Sequence, residues 1–318
     1  MLHEDDSPST GSKENHRKRE KGVLVYPVYS RRSGGLSVGI NLFPDKKHCN
    51  FDCPYCEVFP FSCDAEFSTE QMEADLRDAI AVALDRNIPV KDICFSGNGE
   101  PTLSPFFPEA LEIAGHVRME LVPEANLVLI TNGTGLLEER LFSLLREAAF
   151  SSGLDIWLKL DAGTPEWYKK MNRSNLPYNE IIEAIKKFVA CAPVTIQTML
   201  CVVDGESPSS EEAISWEKLI LELLAIADRS AVKGRVGIRE PAPRSGRTEI
   251  PLRKVQIYGK ARPAPEDPIA GALPAEYLEA RAASLRAALA KVCAAAPPEG
   301  NTAAGGAMGI APNVEVYP

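Results

Sequence analysis

The chain has 318 residues, 45% of them apolar, and a formal net charge of −9. That length supports one large α/β domain or two small ones around a sizeable core, while the acidic balance argues against an extensive phosphate-binding surface, which needs clustered Lys and Arg. No apolar run approaches the ~20 residues needed to cross a bilayer, and the N-terminal segment has no hydrophobic stretch behind its charges, so a cytoplasmic protein without a membrane partner is expected.

Residues 1–22 are polar, mix both charge signs in runs such as HRKREK, and are read as a disordered tail. A first barrel strand is predicted at 36–43 (LSVGINLF), followed by a cysteine-bearing loop. The helix predicted at 68–86 opens on Ser68 and Thr69 with an acidic first turn, as a capped helix does. Further short β-rich runs fall at 90–97, 126–133, 154–163, 194–202 and 253–263, most of them separated by helical patterns near 106–119, 138–149, 179–191 and 211–228. A segment at 229–251, rich in Gly, Pro and Arg, reads as an inserted loop. An Ala-rich helix at 275–293 completes a domain of 23–295. Residues 296–318 read as a flexible linker with a closing NVEVYP that adds an edge strand. Six strands alternating with helices imply parallel βα units closed fully or partly into a barrel, with the chemistry at the C-terminal strand ends.

The polar motifs fall at those ends. HCNFDCPYC (48–56) gathers three of the eight cysteines, and in a reducing compartment such a group binds metal or does redox chemistry. Thiolates are the usual ligands of iron–sulfur clusters. A cubane cluster has four irons, so three cysteines leave one open to a substrate or cosubstrate. The C-x3-C-x2-C spacing departs from the C-x2-C pairs of structural zinc sites. The alternative is a zinc knuckle completed by His48 or Cys63. GNGEPT (97–102), TNGT (131–134) and KLDAG (159–163) follow the next three strands; the fifth carries Gln197 and Thr198, and the sixth runs into Lys260, Arg262 and Pro263. Glu100 has a second reading as a carboxylate near a helix N-terminus. Lys159 and Asp161 share one strand face. That lysine either pairs with Asp161 or, with a depressed pKa, forms a Schiff base or binds an anionic substrate. Asp161 has the further reading of fixing its own turn. Cys94, Cys191, Cys201 and Cys293 read as plain core residues.

With CNFDCPYC at 49–56 and FSGNGEPTL at 95–103, the chain resembles the radical S-adenosylmethionine (SAM) superfamily. GINLFPDKKHCNFDCPYCE, FSGNGEPTL, LKLDAGTPE, IQTML and VQIYGKARPAPE, in that order over roughly residues 36 to 295, are similar to the subgroup related to the wyosine-base synthases of tRNA. The resemblance implies an α/β fold with a parallel (β/α)6 partial TIM barrel. It implies that Cys49, Cys53 and Cys56 bind a [4Fe-4S] cluster whose fourth iron is chelated by the amino and carboxylate groups of SAM. Gly97, Gly99 and Glu100 match the segment that meets the SAM amino group, and the backbone near Tyr55 would lie by the adenine. Asn132, Asp161 and Gln197 are candidate ribose or methionine contacts by position, and Lys159 with Asp161 is the candidate catalytic pair. One electron would cleave SAM to methionine and a 5′-deoxyadenosyl radical that abstracts hydrogen from an unidentified substrate.

The departures from the subgroup matter too. Wyosine-base synthases carry a second cluster with cysteines largely upstream of the first motif, and this sequence has none before Cys49. A different reaction is therefore expected, with a separate low-potential donor, a flavodoxin or ferredoxin. Two alternatives remain: action on tRNA, with Arg235, Arg239, Arg244, Arg247, Arg253, Lys254 and HRKREK as phosphate contacts, or a non-catalytic iron–sulfur or zinc protein.

Overall fold

A computed structural model describes residues 22–234, 252–266, 269–295 and 311–318. The chain opens with a hairpin, Val25–Ser30 (β1) against Gly35–Ile40 (β2), in which Val25 faces Ile40 and Ser30 faces Gly35. It then alternates through Thr69–Asp85 (α1), Val90–Phe95 (β3), Phe107–Leu121 (α2), Asn126–Thr131 (β4), Glu139–Ser151 (α3) and Leu154–Lys159 (β5). Pro165–Met171 (α4), Tyr178–Val189 (α5), Val194–Leu200 (β6), Val202–Val203 (β7) and Ser210–Gly234 (α6) follow. Leu252–Gly259 (β8), Ala270–Gly271 (β9), Ala275–Ala295 (α7) and Asn313–Tyr317 (β10) complete the order. The main sheet runs β1-β2-β3-β4-β5-β6-β8-β10. Every pairing beyond the hairpin is parallel, and β7 and β9 form a small antiparallel ribbon.

The two faces of this sheet differ in chemistry. On one, Ile93, Phe95, Leu127, Leu129, Ile156, Leu158, Ile196, Val255 and Ile257 are fully buried and join the helices in the main core. Burying each such side chain contributes roughly 1.5–3 kcal/mol before conformational entropy is set against it. Alternate residues of the same strands point the other way. There Cys94, Val128 and Trp157 form a small apolar cluster of their own, beside Asp92, Asp155, Lys159, Gln197, Gln256 and Tyr258. Cys94 thus belongs to the concave interior rather than to the main core.

The sheet curls into a half-barrel. Its two edges in pairing order, β1 and β10, meet through the hairpin turn: Arg31 Nη1 donates to the Pro318 carbonyl at 2.6 Å, and the Tyr317 hydroxyl donates to the Arg32 carbonyl at 3.4 Å. Contact between opposite edges requires the sheet to bend back on itself. Stagger between tilted barrel strands brings the start of β2 level with the end of β10.

All six expected barrel strands are present, and NVEVYP supplies β10. Ser68 caps α1 by accepting the Gln71 N–H. The expected strands overrun at their C-terminal ends, since residues 96–97, 132–133 and 160–163 are loop. The sequence reading missed β1 and α4, and α6 runs on to Gly234, past its expected end. The expected tail (residues 1–21), the rest of the insertion (235–251) and the linker (296–310) lie outside the described residues. No helix among the described residues is long and apolar enough to cross a membrane.

Candidate functional site

The loop from the end of β2 to α1 carries the cysteines across the C-terminal ends of the strands, and several of those ends grip it. After β3, Gly99 bridges to His48 in parallel fashion: the His48 N–H donates to the Asn98 carbonyl and the Glu100 N–H to the His48 carbonyl, each at 2.9 Å. A Cβ on Gly99 would stand 1.8 Å from the His48 carbonyl oxygen. Glycine is required for that approach. Gly97 has φ +135, and a Cβ there would meet Asn41 Oδ1 at 2.6 Å. That same oxygen accepts the Asn98 N–H at 3.0 Å. The glycines therefore serve close packing, and what they admit in this structure is the Asn41 side chain at Gly97 and the His48 backbone at Gly99.

After β4, Asn132 Nδ2 donates to Asn50 Oδ1 and Asn50 Nδ2 donates to Thr134 Oγ1, both at 2.8 Å. After α4, the Ser174 hydroxyl donates to the Asn50 carbonyl at 3.1 Å and the Asp52 N–H to the Asn172 carbonyl at 2.9 Å. After β5, Asp161 takes the Tyr55 hydroxyl hydrogen bond. The Cys56 N–H turns back to the Cys53 carbonyl at 3.0 Å.

Each of the first two sulfurs has N–H donors. Cys49 Sγ accepts from the Phe51 N–H at 3.4 Å and from Asn132 Nδ2 at 3.7 Å; Cys53 Sγ accepts from Asn172 Nδ2 at 3.6 Å. Burial pushes the Cys53 thiol up to about 11, with the Lys159 charge opposing and Asp161 adding to the rise. Among the described residues no three His, Cys, Asp or Glu converge on one point as a single ion would demand. His48 stacks on Phe43 at 5.0 Å and the Cys63 thiol donates to the Pro44 carbonyl at 3.3 Å, so each has a structural partner of its own.

The strand-end carboxylates are well occupied. Glu100, 2% exposed, accepts from the Thr131 hydroxyl at 2.6 Å, the Asn132 N–H at 2.7 Å and the Thr102 hydroxyl at 2.8 Å. It also caps the short 3-10 turn Pro101–Leu103. Burial raises its carboxyl above the ordinary value and these donors oppose that rise. Asp161 accepts the Met199 N–H of β6 at 2.8 Å and Asn172 Nδ2 at 3.2 Å, and pairs with Lys159 Nζ at 3.4 Å. It ties neighbouring elements together instead of fixing its own turn, which Thr164 starts by capping α4.

Lys159 Nζ donates to the Tyr258 hydroxyl at 2.5 Å and lies 4.8 Å from the centre of the Tyr55 ring. Burial pulls the lysine pKa down, but Asp161 and Tyr258 outweigh it and the net shift is upward. A protonated, paired ammonium is not a Schiff-base nucleophile. Gln197 stands apart from the loop: its amide donates to Gln256 at 2.8 Å and its oxygen accepts from Arg32 at 3.2 Å, inside the barrel.

Residues 46–216 match the family model of the radical SAM superfamily. The chain belongs to the radical SAM superfamily. Two curated relatives, both called UPF0026 protein, come from two strains of Helicobacter pylori. One is 30% identical over 176 residues, 54% of this chain and 53% of the relative. The other is 26% identical over 217 residues, 65% of this chain and 63% of the relative, so the match spans between half and two thirds of their length. Among solved structures, a radical SAM methyltransferase from Sphaerobacter thermophilus shares the fold. It has a TM-score of 0.56 and 15% identity, with 91% of this chain and 68% of that chain covered.

Radical SAM enzymes use a [4Fe-4S] cluster and SAM and need a reductant and a substrate. The residues present fit the cluster: three thiols on one loop, with amide N–H groups aimed at sulfur, form the donor set that iron–sulfur clusters take. Of the residues singled out in the sequence, the structure brings Cys49, Cys53, Cys56, Tyr55, Gly97, Gly99, Glu100, Asn132, Lys159 and Asp161 together around the loop and leaves Gln197 deeper in the barrel. Sequence reasoning missed Asn50, Thr134, Asn172 and Ser174. The last two sit in MNRSN, whose Arg173 has φ +46, and a polar turn ending a short segment that opens on Thr-Pro-Glu was the available signal.

Proposed function

We propose that Cys49, Cys53 and Cys56 hold the [4Fe-4S] cluster and that SAM sits beside it, against Tyr55, Gly97–Glu100 and Asn132 at the ends of β3 and β4. When bound, the cluster supplies one electron to SAM, which yields methionine and a 5′-deoxyadenosyl radical able to take hydrogen from a substrate. The chain's own residues do the positioning. The hydrogen bonds at His48, Asn50, Asp52 and Tyr55 hold the loop in one shape, so little reorganisation accompanies cofactor binding. Asp161 holds Tyr55, Asn172 and Lys159 at once, which couples the loop to the barrel wall. The substrate enters the concave interior lined by Lys159 and Tyr258, and a flavodoxin or ferredoxin delivers the electron from outside.

The observation that carries this reading is the parallel bridge between His48 and Gly99, which locks the cysteine loop to the GNGE strand end. Two phosphate contacts of the tRNA alternative point elsewhere: Arg253 pairs with Asp155 at 3.1 Å and Lys254 with Glu315 at 3.5 Å. The remaining candidates, at 16–21 and 235–247, lie outside the described residues. The test is anaerobic reconstitution with iron and sulfide, followed by electron paramagnetic resonance with and without SAM. The expected outcome is a cluster signal that changes on adding SAM, with 5′-deoxyadenosine formed after dithionite reduction. Colourless, zinc-containing protein would reject the reading, and methylthioadenosine would move the cleavage to a different carbon–sulfur bond. Cys49→Ala, Cys53→Ala and Cys56→Ala should each strip the iron while Cys63→Ala keeps it.

A further inference from the structure

The hairpin turn places Arg32 inside the barrel. Its guanidinium carbon lies 5.0 Å from the centre of the Tyr258 ring and 5.9 Å from that of Trp157, and Nη1 donates to Gln197 at 3.2 Å. Among the described residues no carboxylate stands within ion-pair distance of it. Asp92 is near enough to feel its charge but is engaged by the Ser37 hydroxyl. Lys159 stands over the same Tyr258 ring, 5.1 Å from its centre. The Lys159 side chain is 16% exposed. Helices cover the outer face of the sheet, so that exposure is to the barrel interior. Two cations thus share one aromatic ring; Asp161 pairs directly with one of them, and among the described residues the other has no carboxylate in ion-pair contact, Asp92 acting on it only at longer range. A partly buried guanidinium without a direct ion-pair partner is costly, and with its faces toward two rings and Nη1 on Gln197 its remaining edge donors are available to an oxyanion.

We propose that the barrel interior binds the oxyanion of the substrate, a carboxylate or a phosphate, through Arg32, with Lys159 and Tyr258 on the adjoining wall. This rests on the reading that the interior takes the substrate, and it names the chemical class. Arg32 is a binding residue here and makes no direct contact with the cysteines among the interactions the structure shows.

Calorimetric titration of the cluster-loaded protein with inorganic phosphate and, separately, with acetate tests it. Saturable binding of at least one anion is expected, tenfold weaker or more in Arg32→Gln, and the tighter of the two assigns phosphate or carboxylate. Arg32→Gln should retain the SAM-dependent change of the cluster signal, so that failure of the anion site is told apart from failure of the cofactor reading. If Arg32→Gln melts below the working temperature, Arg32→Lys replaces it. Loss of the planar fork should then weaken the anion measurably at an unchanged melting temperature. No saturable binding of either anion, or equal affinity in the wild type and the folded variant, overturns the proposal.

Discussion

At the scale of single residues, Gly99 sets the geometry on which the cysteines depend. Gly99→Ala would drive a methyl group into the His48 carbonyl, 1.8 Å from the ideal Cβ position, and backbone cannot yield as a side-chain tip does. The expected result is failure to retain iron on reconstitution. Gly153→Ala is the control: it meets nothing within 4 Å but has φ +67. It should cost about 1–2 kcal/mol and leave iron content unchanged, so iron per chain and melting temperature separate the two. Glu100 separates two roles in another way. Glu100→Gln replaces an acceptor with a donor facing N–H and O–H groups and should lower stability by about 1–3 kcal/mol. Because burial raises this carboxyl above its ordinary 4.5, the fold favours its protonated form. That contribution is complete below pH 4.5 and is lost as pH rises through the raised value. Acidification should therefore widen the melting-temperature gap between wild type and Glu100→Gln. If Glu100 also receives the SAM ammonium, SAM affinity falls more than tenfold, the weight of a charged hydrogen bond; unchanged affinity leaves it a purely structural anchor. The cysteine group stood out by its spacing because its chemistry is local, and the two glycines entered through the resemblance to the radical SAM superfamily. Asn172 and Ser174 offered only the weak signal of a polar turn, since their value lies in a contact with a loop about 120 residues earlier in the chain.

At the scale of elements, α4 shows what periodicity misses. Seven residues, Pro165–Met171, are too few to display a 3.6-residue repeat. Yet α4 buries Trp167, Tyr168 and Met171 and delivers Asn172 to the cysteine loop. Thr164 starts it, accepting the Trp167 N–H at 3.3 Å and donating to Glu212 at 2.5 Å. Thr164→Ala should cost about 1–2 kcal/mol as a lost cap, read by chemical denaturation. It should also speed amide exchange at Asp52, whose N–H is held by the end of this helix. The hairpin strand β1 went unread for a related reason: Pro27 interrupts VYPVYS, and a proline marks a run as an edge or a non-strand. In the structure β1 is an edge strand.

At the scale of the whole molecule, the alternation of strands and helices was enough to give a parallel, barrel-like sheet, because hydrophobic runs of strand length separated by amphipathic helices have few other solutions. How that sheet closes was not legible. It depends on the Arg31 side chain, the Arg32 carbonyl and the Tyr317 hydroxyl, groups far apart in sequence that no periodicity links. Removing residues 311–318 would strip β8 of its neighbour, expose its edge and delete the Arg31–Pro318 and Tyr317–Arg32 bonds together. The expected outcome is a lower melting temperature and concentration-dependent aggregation, read by calorimetry and light scattering. Tyr317→Phe alone, which removes only the hydroxyl contacts, should change the melting temperature little.

The grip on the cysteine loop also has a schedule. Its partners are made in sequence after it: Gly99, then Asn132, Asp161, Asn172 and finally Met199, whose N–H holds the carboxylate that holds Tyr55. At a synthesis rate of ~5–20 residues per second, on the order of ten seconds separate the emergence of Cys56 from that of the last of them. During that interval the three thiols hang from an unfinished scaffold, open to oxygen and to stray metal. On the proposed assignment of the cluster to these cysteines, loading belongs to the finished chain, and growth conditions that expose nascent thiols should lower the yield of reconstitutable protein without altering the protein that survives.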